Sequence, residues 1–182
     1  GKEVSLGVDF ASSTQWNEQK EKYIYERAGF ENDPGEQIDS AAKIIEKYKP
    51  TIFYGVPTLY AAQLKSMAST KNREPDLSSI RVCTSAGEAL PPDLLKRWVE
   101  KTGIPLLDGI GTTEILHIFL SNQIGNVKPG SSGLIVPGYE GKVVDNDRRE
   151  VPRGETGDLM IKGDSLLKHY WRNPEKTAES LF

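Results

Sequence analysis

The sequence has little cysteine and no long apolar run. Its single cysteine, Cys83, cannot form a disulfide within the chain, which favours a reducing, cytoplasmic environment over secretion. No apolar stretch approaches the ~20 residues that a membrane-spanning helix needs. No basic stretch followed by an apolar one marks a signal peptide at the start. We therefore expect a cytoplasmic protein with no membrane partner.

The sequence also lacks a strong excess of charge of either sign. Its 23 Lys and Arg residues are interspersed with 26 Asp and Glu residues, and the net charge is -3. A nucleic-acid surface normally appears as clustered Lys and Arg, so we expect no nucleic-acid partner. Local positive charge could still meet the phosphate of a small nucleotide.

Strand-like and helix-like patterns alternate up to about residue 125. Three short apolar runs are predicted to be buried strands: residues 51–54, 80–84 and 104–107. Helix starts precede and separate them: the cap-like residues 33–36, Pro57 and the pair Pro91-Pro92. Gly103 is placed to end the third helix. This alternation is typical of the α/β class, with a mostly parallel sheet covered by helices.

The predicted helices carry apolar side chains at helical spacing. In the first helix these are Ile38, Ala41, Ala42, Ile45 and Tyr48. In the third they are Leu94, Leu95, Trp98 and Val99. We expect these stripes to face the sheet.

The pattern changes after residue 125, where Gly and Pro become frequent. Residues 139–144 and 158–162 are predicted to be antiparallel strands, with a turn at 145–147. Asn173 and Pro174 then begin a final helix as its cap and first residue. We therefore divide the chain into an α/β subdomain, residues 1–125, and a β-rich, small barrel-like subdomain with a terminal helix, residues 126–182.

Three glycine-containing turns follow the predicted strands, at residues 55–58, 85–90 and 108–114. Ligands of open parallel sheets collect at the carboxyl ends of the strands, so we expect all three turns on one edge. Gly87, Gly109 and Gly111 would let a flat ligand approach the backbone closely.

The last of these turns also carries polar side chains. The hydroxyls of Thr112 and Thr113 suit phosphate oxygens, and Glu114 offers an oxygen ligand that Mg²⁺ accepts when phosphates complete its shell. Turn chemistry alone leaves a second interpretation open. In it these are ordinary glycine turns, with Thr112 or Thr113 capping a helix that contains Glu114.

Five segments in order resemble the adenylate-forming enzymes, which include acyl-CoA synthetases, luciferases and peptide-synthetase adenylation domains. They are FYGVPTLY at 53–60, SAGEALP at 85–91, DGIGTTE at 108–114, GETGDL at 154–159 and YWRNPEKT at 170–177. The resemblance extends from about residue 38 to residue 182 and does not include residues 1–32. It implies the fold of the acyl-CoA synthetase-like N-terminal domain.

The resemblance implies a role for each residue of the two glycine-containing loops. Gly87, Glu88 and Ala89 would carry the adenine of ATP or AMP together with Asp108. Gly109, Ile110 and Gly111 would continue the nucleotide site. Thr112 and Thr113 would contact phosphate, Glu114 would bind Mg²⁺, and Thr113 and Glu114 would be catalytic.

The segment DGIGTTEILHIFLSN at 108–122 is most similar to the benzoate-CoA ligase subfamily. That similarity implies a pocket for an aromatic acid lined by Ala86, Gly111, His117 and Ile118, and coenzyme A as the thiol substrate. The alternative for His117 is an inert core histidine on a helix that follows the loop. The other histidine, His169, is predicted to lie on the surface. Another ring acid or a fatty acid remains open as the substrate.

Parts of the family's machinery have no match in the sequence. We find no Ser/Thr/Gly-rich loop with lysine for the outer phosphates of ATP, and the family's distal catalytic lysine would lie beyond Phe182. With Gly1 at the start, this suggests an internal fragment that is inactive by itself. A non-catalytic adenylate-binding module is the alternative. Apolar surface exposed by truncation would favour self-association.

Overall fold

The computed structural model describes residues 16–17, 22–25, 30–32, 37–68 and 74–181. Near the start, β1 (Trp16–Asn17), β2 (Lys22–Tyr25) and β3 (Phe30–Asn32) form an antiparallel sheet in that order. The helix start predicted at residues 33–36 lies outside the described residues.

A second sheet of five strands forms the centre of the fold. Its strands are β4 (Ile52–Gly55), β5 (Val82–Ser85), β6 (Leu106–Gly111), β7 (Ile118–Ser121) and β8 (Leu134–Ile135), in that order. The first three strands are parallel, whereas β7 and β8 continue the sheet in antiparallel pairs. The α/β class is confirmed, and β8 joins this sheet although it lies after residue 125.

Helices α1 (Gln37–Tyr48), α2 (Pro57–Met67) and α3 (Pro92–Thr102) alternate with β4, β5 and β6 as predicted. Gly103 ends α3 in the left-handed conformation, and its amide donates to Val99 O at 2.8 Å. Within the described part of the chain, no helix is long and apolar enough to cross a membrane.

The side chain of Ile38 lies outside the described residues, and two of the other members of the predicted apolar stripes do not reach the core. Tyr48, the last residue of α1, is 51% exposed because the chain turns sharply at Lys49, which has a φ of 48°. Val99 lies at the margin of its stripe and is 38% exposed. Ile45, Leu94, Leu95 and Trp98 are buried as predicted.

The core fills the space between the parallel strands and their helices. Tyr60 is its centre, with edge-on contacts to Phe53 at 5.7 Å and to Trp98 at 4.8 Å between ring centroids. The Tyr60 hydroxyl donates to Thr84 O at 2.6 Å, so the ring fixes β5 from the side of α2. Burial raises the pKa of Cys83 to about 12, which leaves this thiol unreactive at neutral pH.

The β-rich part contains strands β9 (Tyr139–Val144) and β10 (Asp158–Gly163), which pair antiparallel from Val144 opposite Asp158 to Tyr139 opposite Gly163. The predicted turn between them is closed by the Arg148 amide, which donates to Asp145 O at 3.0 Å. Among the described residues these strands form a two-stranded ribbon.

Helix α4 (Pro174–Ser180) follows the ribbon. As predicted, its cap is Asn173, whose side-chain oxygen accepts from the Lys176 amide at 3.0 Å.

Candidate active site

The carboxyl ends of the three parallel strands lie side by side. Gly55 pairs with Ser85, and Ser85 pairs with Asp108, so the ends form one row across the sheet. The loop that follows β5 also contacts the end of β4, since the Ala86 amide donates to Gly55 O at 3.4 Å. Ser85 and Asp108, which begin two of the predicted turns, therefore lie at one edge of the sheet as expected, and we call this edge the rim.

The loop after β5 is exposed between two buried anchors. Ser85 at its start is fully buried and Leu90 at its end is 3% exposed. Between them Gly87, Glu88 and Ala89 are exposed and Ala86 is half-buried. Gly87 has a φ of +88°, which strongly favours glycine. The three residues predicted to carry adenine therefore lie at the surface of the rim.

Asp108 differs from its neighbours in being a buried carboxylate. It is 6% exposed, and this burial raises its pKa against the opposing hydrogen bond from the Gly109 amide. The backbone carbonyl of Asp108 accepts from the Asn122 amide at 2.9 Å and from Asn122 Nδ2 at 3.1 Å. Buried Asn122 also donates to Ser131 O at 2.6 Å and accepts from the Lys128 amide at 2.9 Å.

Asn122 was missed as a functional candidate by sequence reasoning. Asn122 is the last residue of the segment that resembles the ligases. No local pattern indicated that its side chain would link β6 to the loop before β8 by hydrogen bonds. Its hydrogen bonds fix the backbone of Asp108 from the end of the adjacent strand β7.

The predicted turn at Asp108 is wrong, because β6 continues as a strand through Gly111. A Cβ at Gly109 would lie 2.8 Å from Leu120 O, and one at Gly111 would lie 2.3 Å from His117 O. Both glycines are thus required by the close approach of β7, which bulges between Ile110 and Gly111. In this structure their missing side chains make room for protein backbone.

The actual turn follows Gly111 and contains a 3-10 helix, Thr113–Ile115. Thr112 and Thr113 are exposed, and Ile115 is 4% exposed and anchors the turn. Leu116 then adopts a φ of 74° and a ψ of −41°, a strained conformation for a residue with a Cβ. The helix that the alternative interpretation of His117 places after the loop is absent from the described residues, and β7 stands in its place.

His117 lies in this turn and is exposed, so its interpretation as a core histidine on a helix is wrong. Its Nδ1 lies 2.8 Å from Ile118 O, and its ring meets Tyr139 edge-on at 6.5 Å between centroids. These contacts hold the imidazole at the surface of the rim. Ile118 beside it is half-buried, and His169 is exposed as predicted.

Glu114 is held from the β-rich part of the chain. The Tyr170 hydroxyl donates to Glu114 Oε1 at 2.8 Å and lowers the pKa of this carboxyl. In the described part of the chain no group of three or more His, Cys, Asp or Glu side chains could hold a metal ion. One carboxylate beside two exposed threonines fits Mg²⁺, which is usually bound by one or two carboxylates together with substrate phosphates.

The structure defines an α/β protein whose parallel strands end in one row, and comparison with known proteins identifies its family. Residues 29–171 match the family described as AMP-binding enzyme. This match covers most of the chain, so the chain belongs to the AMP-binding enzyme family.

Two curated relatives are aromatic acid ligases. The chain is 51% identical over 135 residues to benzoate--CoA ligase of Thauera aromatica, a match that covers 74% of this chain and 25% of the relative. It is 37% identical over 139 residues to 4-hydroxybenzoate--CoA/benzoate--CoA ligase of Rhodopseudomonas palustris, which covers 76% and 25%. The chain therefore spans about a quarter of the length of these relatives.

Two solved structures to which the chain is similar are also ligases of aromatic acids. The anthranilate CoA ligase AuaEII in complex with anthranoyl-AMP matches with a TM-score of 0.74 and 43% identity over 81% of this chain and 28% of that one. A benzoate CoA ligase from Burkholderia xenovorans LB400 matches with a TM-score of 0.69 and 47% identity over 78% and 28%. The prediction of an acyl-CoA synthetase-like N-terminal domain is confirmed.

Proposed function

We propose that this chain is part of an ATP-dependent acid–thiol ligase that activates an aromatic carboxylic acid as its acyl-adenylate and transfers it to coenzyme A. The row formed by Gly55, Ser85 and Asp108 carries this proposal. It sets the start of the exposed loop 86–89 beside the strand that leads to the turn 112–117, which supports a site that holds a purine next to a small acid. The similarity to benzoate--CoA ligase favours an aromatic acid.

The reaction needs alignment and charge stabilisation more than covalent catalysis by the protein. A carboxylate does not react with a thiol, because oxide would have to leave. Attack of the carboxylate on the α-phosphorus of ATP expels pyrophosphate and gives a mixed anhydride with AMP. The thiol of coenzyme A then attacks the acyl carbon and AMP leaves.

The rim offers a group for each part of the nucleotide. In our proposal Gly87, Glu88 and Ala89 hold the adenine through exposed backbone, with Asp108 behind them. The hydroxyls of Thr112 and Thr113 donate to the phosphates. Glu114 would hold Mg²⁺, which neutralises phosphate charge when it is bound with the nucleotide.

The acid side of the proposed site is the turn that carries His117. Ala86 and Gly111 approach the ring of the acid in our proposal, and Ile118 completes an apolar wall. The imidazole is held by Tyr139 and by Ile118 O, so its position is set before the acid binds. A benzoate-type acid is already ionised at neutral pH, so His117 serves to orient it and needs to remove no proton.

Binding of acyl-adenylate analogues tests this proposal. A non-hydrolysable benzoyl-adenylate analogue should bind the chain more tightly in calorimetry than heteroaryl, alicyclic or fatty-acyl analogues. His117→Ala should weaken benzoyl-analogue binding by roughly tenfold, the scale of one lost pocket contact. His169→Ala, at the exposed second histidine, is the matched control and should change nothing. Tighter binding of the fatty-acyl analogue would contradict the aromatic acid.

The chain by itself is proposed to be inactive. Its sequence contains no phosphate-binding loop with lysine, and it spans about a quarter of its curated relatives. A pyrophosphate-release assay with benzoate, ATP and Mg²⁺ should therefore give background rates. Sustained turnover would contradict this part of the proposal.

A further inference from the structure

A short segment of the β-rich part fastens the turn that carries Glu114. Ser165 Oγ donates to Ile115 O at 3.0 Å, and the Leu167 amide donates to Glu114 O at 2.7 Å. The Tyr170 hydroxyl donates to Glu114 Oε1 at 2.8 Å. We call Ser165, Leu167 and Tyr170 the clasp. Its members lie some fifty residues beyond the turn in sequence, so the clasp joins distant parts of the chain.

The turn depends on this external support because it is short and strained. Its 3-10 helix has three residues, and Leu116 behind it has a positive φ and is 75% exposed. Ile115 is the buried anchor of the turn. Glu114 is half-buried, so without the Tyr170 hydrogen bond its long side chain would regain rotamer freedom.

Tyr170 is itself held in place by helix α4. Its amide donates to Thr177 Oγ1 at 3.0 Å, and Thr177 Oγ1 donates to Asn173 O at 2.8 Å. Asn173 is the cap of α4, so the backbone of Tyr170 is tied to the first turn of that helix. A continuous chain of hydrogen bonds thus leads from α4 through Tyr170 to Glu114.

We propose that Tyr170 is a positioning residue for the ligase reaction, which orients the carboxylate of Glu114 toward the phosphate and Mg²⁺ side of the rim. This role rests on the function proposed above. A carboxylate has about four lone-pair positions, so the hydrogen bond at Oε1 leaves capacity for a cation. Groups that orient a metal ligand in this way strongly affect metal affinity.

The first test needs no ligand and asks whether the clasp fixes the turn. Tyr170→Phe keeps the ring and removes the hydroxyl. Exchange of the Ile115 and Leu116 amides with deuterium should become roughly fivefold faster, as expected for the loss of about one hydrogen bond. Amides of β4 and β5 should be unchanged. Tyr48→Phe, at an exposed tyrosine of α1, is the matched control, and equal exchange in all three proteins would overturn the role of Tyr170 in fixing the turn.

The second test separates positioning of Glu114 from general support. We expect wild-type chain to bind a non-hydrolysable ATP analogue more tightly with Mg²⁺ than with EDTA. Tyr170→Phe should lose roughly five- to tenfold in affinity with Mg²⁺, and AMP binding in EDTA should change less than about twofold. An equal loss under both conditions would overturn the positioning role.

A wild-type affinity that does not respond to Mg²⁺ would overturn the assignment of Glu114 and, with it, the role of Tyr170 in the reaction. The exchange measurement would still report separately on the clasp, so the two failures are distinguishable.

Thr177→Val should cause a smaller Mg²⁺-dependent loss of affinity, because it releases the Tyr170 backbone. Thr177→Ser should restore binding, and failure of that rescue would contradict the route through α4.

Discussion

The α/β layer, residues 37–122, and the β-rich segment, residues 126–181, are held together in different ways. Buried apolar side chains from helices and parallel strands fill the α/β layer, with Tyr60, Trp98 and Leu106 each 1% exposed or less. Within residues 126–181, all of which are described, Val144 is the one apolar side chain that is buried. Burial thus stabilises the first region, whereas the second depends more on hydrogen bonds.

The candidate active site lies where these two regions meet. The row of strand ends belongs to the α/β layer, but Glu114 is oriented by Tyr170 from the β-rich segment. The proposed adenine side of the rim should therefore be rigid, and the proposed phosphate side should depend on how well the β-rich segment is docked. Substitutions that affect one region and spare the other can test this difference.

Truncation of the core should have the largest effect. Trp98→Ala removes a side chain that is 1% exposed and should cost about 3–5 kcal/mol of unfolding free energy. Urea unfolding measures the loss, and faster labelling of the buried Cys83 thiol reports the opening of the layer. Val99→Ala on the same helix, at a residue 38% exposed, is the control and should cost under about 1 kcal/mol. Equal losses would contradict a core centred on Trp98.

Adding a methyl group at Gly111 should have the next largest effect. The new Cβ would lie 2.3 Å from His117 O, and a backbone atom cannot move aside as a side chain can. We expect Gly111→Ala to cost about 1–3 kcal/mol and to shift the amide resonances of residues 112–118. Gly103→Ala tests backbone strain without a steric clash. The φ of Gly103 is +70°, but apart from its chain neighbours no described atom lies within 4 Å of the added Cβ. It should cost about 1 kcal/mol and leave those resonances in place.

Val144→Ala should loosen the β-rich segment alone. The loss of two buried methyl groups should cost about 1–2 kcal/mol. Hydrogen exchange should accelerate in β9 and β10 and remain unchanged in β4–β6. An equal acceleration in both places would show that the two regions unfold together, and this would contradict the claim that they are stabilised separately.

Asp108→Asn should have the smallest effect on the free energy of unfolding. Unlike the other substitutions, it should not lower that free energy near pH 7. Burial raises the pKa of Asp108, so the charged form is less favourable in the folded chain than in the unfolded one. The resulting penalty is fully present above the folded pKa and disappears below the ordinary aspartate value of about 3.9. The amide should therefore be neutral or slightly stabilising near pH 7.

Urea titrations of Asp108→Asn across this pH range, with wild type as reference, measure the penalty. A variant that is less stable at neutral pH by an amount that persists in acid would contradict it. Weaker binding of the adenylate analogue should accompany the gain in stability, because Asp108 is proposed to support the adenine.

Much of the α/β layer could be predicted because its signals are local. Proline at the first turn of α2 and α3, and Gly103 after α3, are typical helix limits, and short apolar runs indicated β4 and β5. Alternation of these elements implied parallel strands, and parallel strands place their carboxyl ends on one edge. That rule is sufficient to predict that the loop after β5 and the segment from Asp108 begin at one edge of the sheet.

The extent of β6 could not be predicted from local signals. Two glycines in DGIG are typical of a turn, yet the segment is a strand because β7 returns beside it and approaches its backbone. The hydrogen bond between Tyr170 and Glu114 spans 56 residues of sequence, and no short pattern contains both. Asn122 was missed for the same reason, since its partners at Ser131 and Lys128 lie in an irregular loop.

Strand β6 also limits which positions of the proposed acid site could vary. It is flanked by β5 on one side and β7 on the other, and neither Gly109 nor Gly111 has space for another carbon atom. Ile110 between them is 38% exposed. In the proposed site, a change of acid preference would therefore leave the two glycines intact and act through the other proposed pocket residues, Ala86, His117 and Ile118.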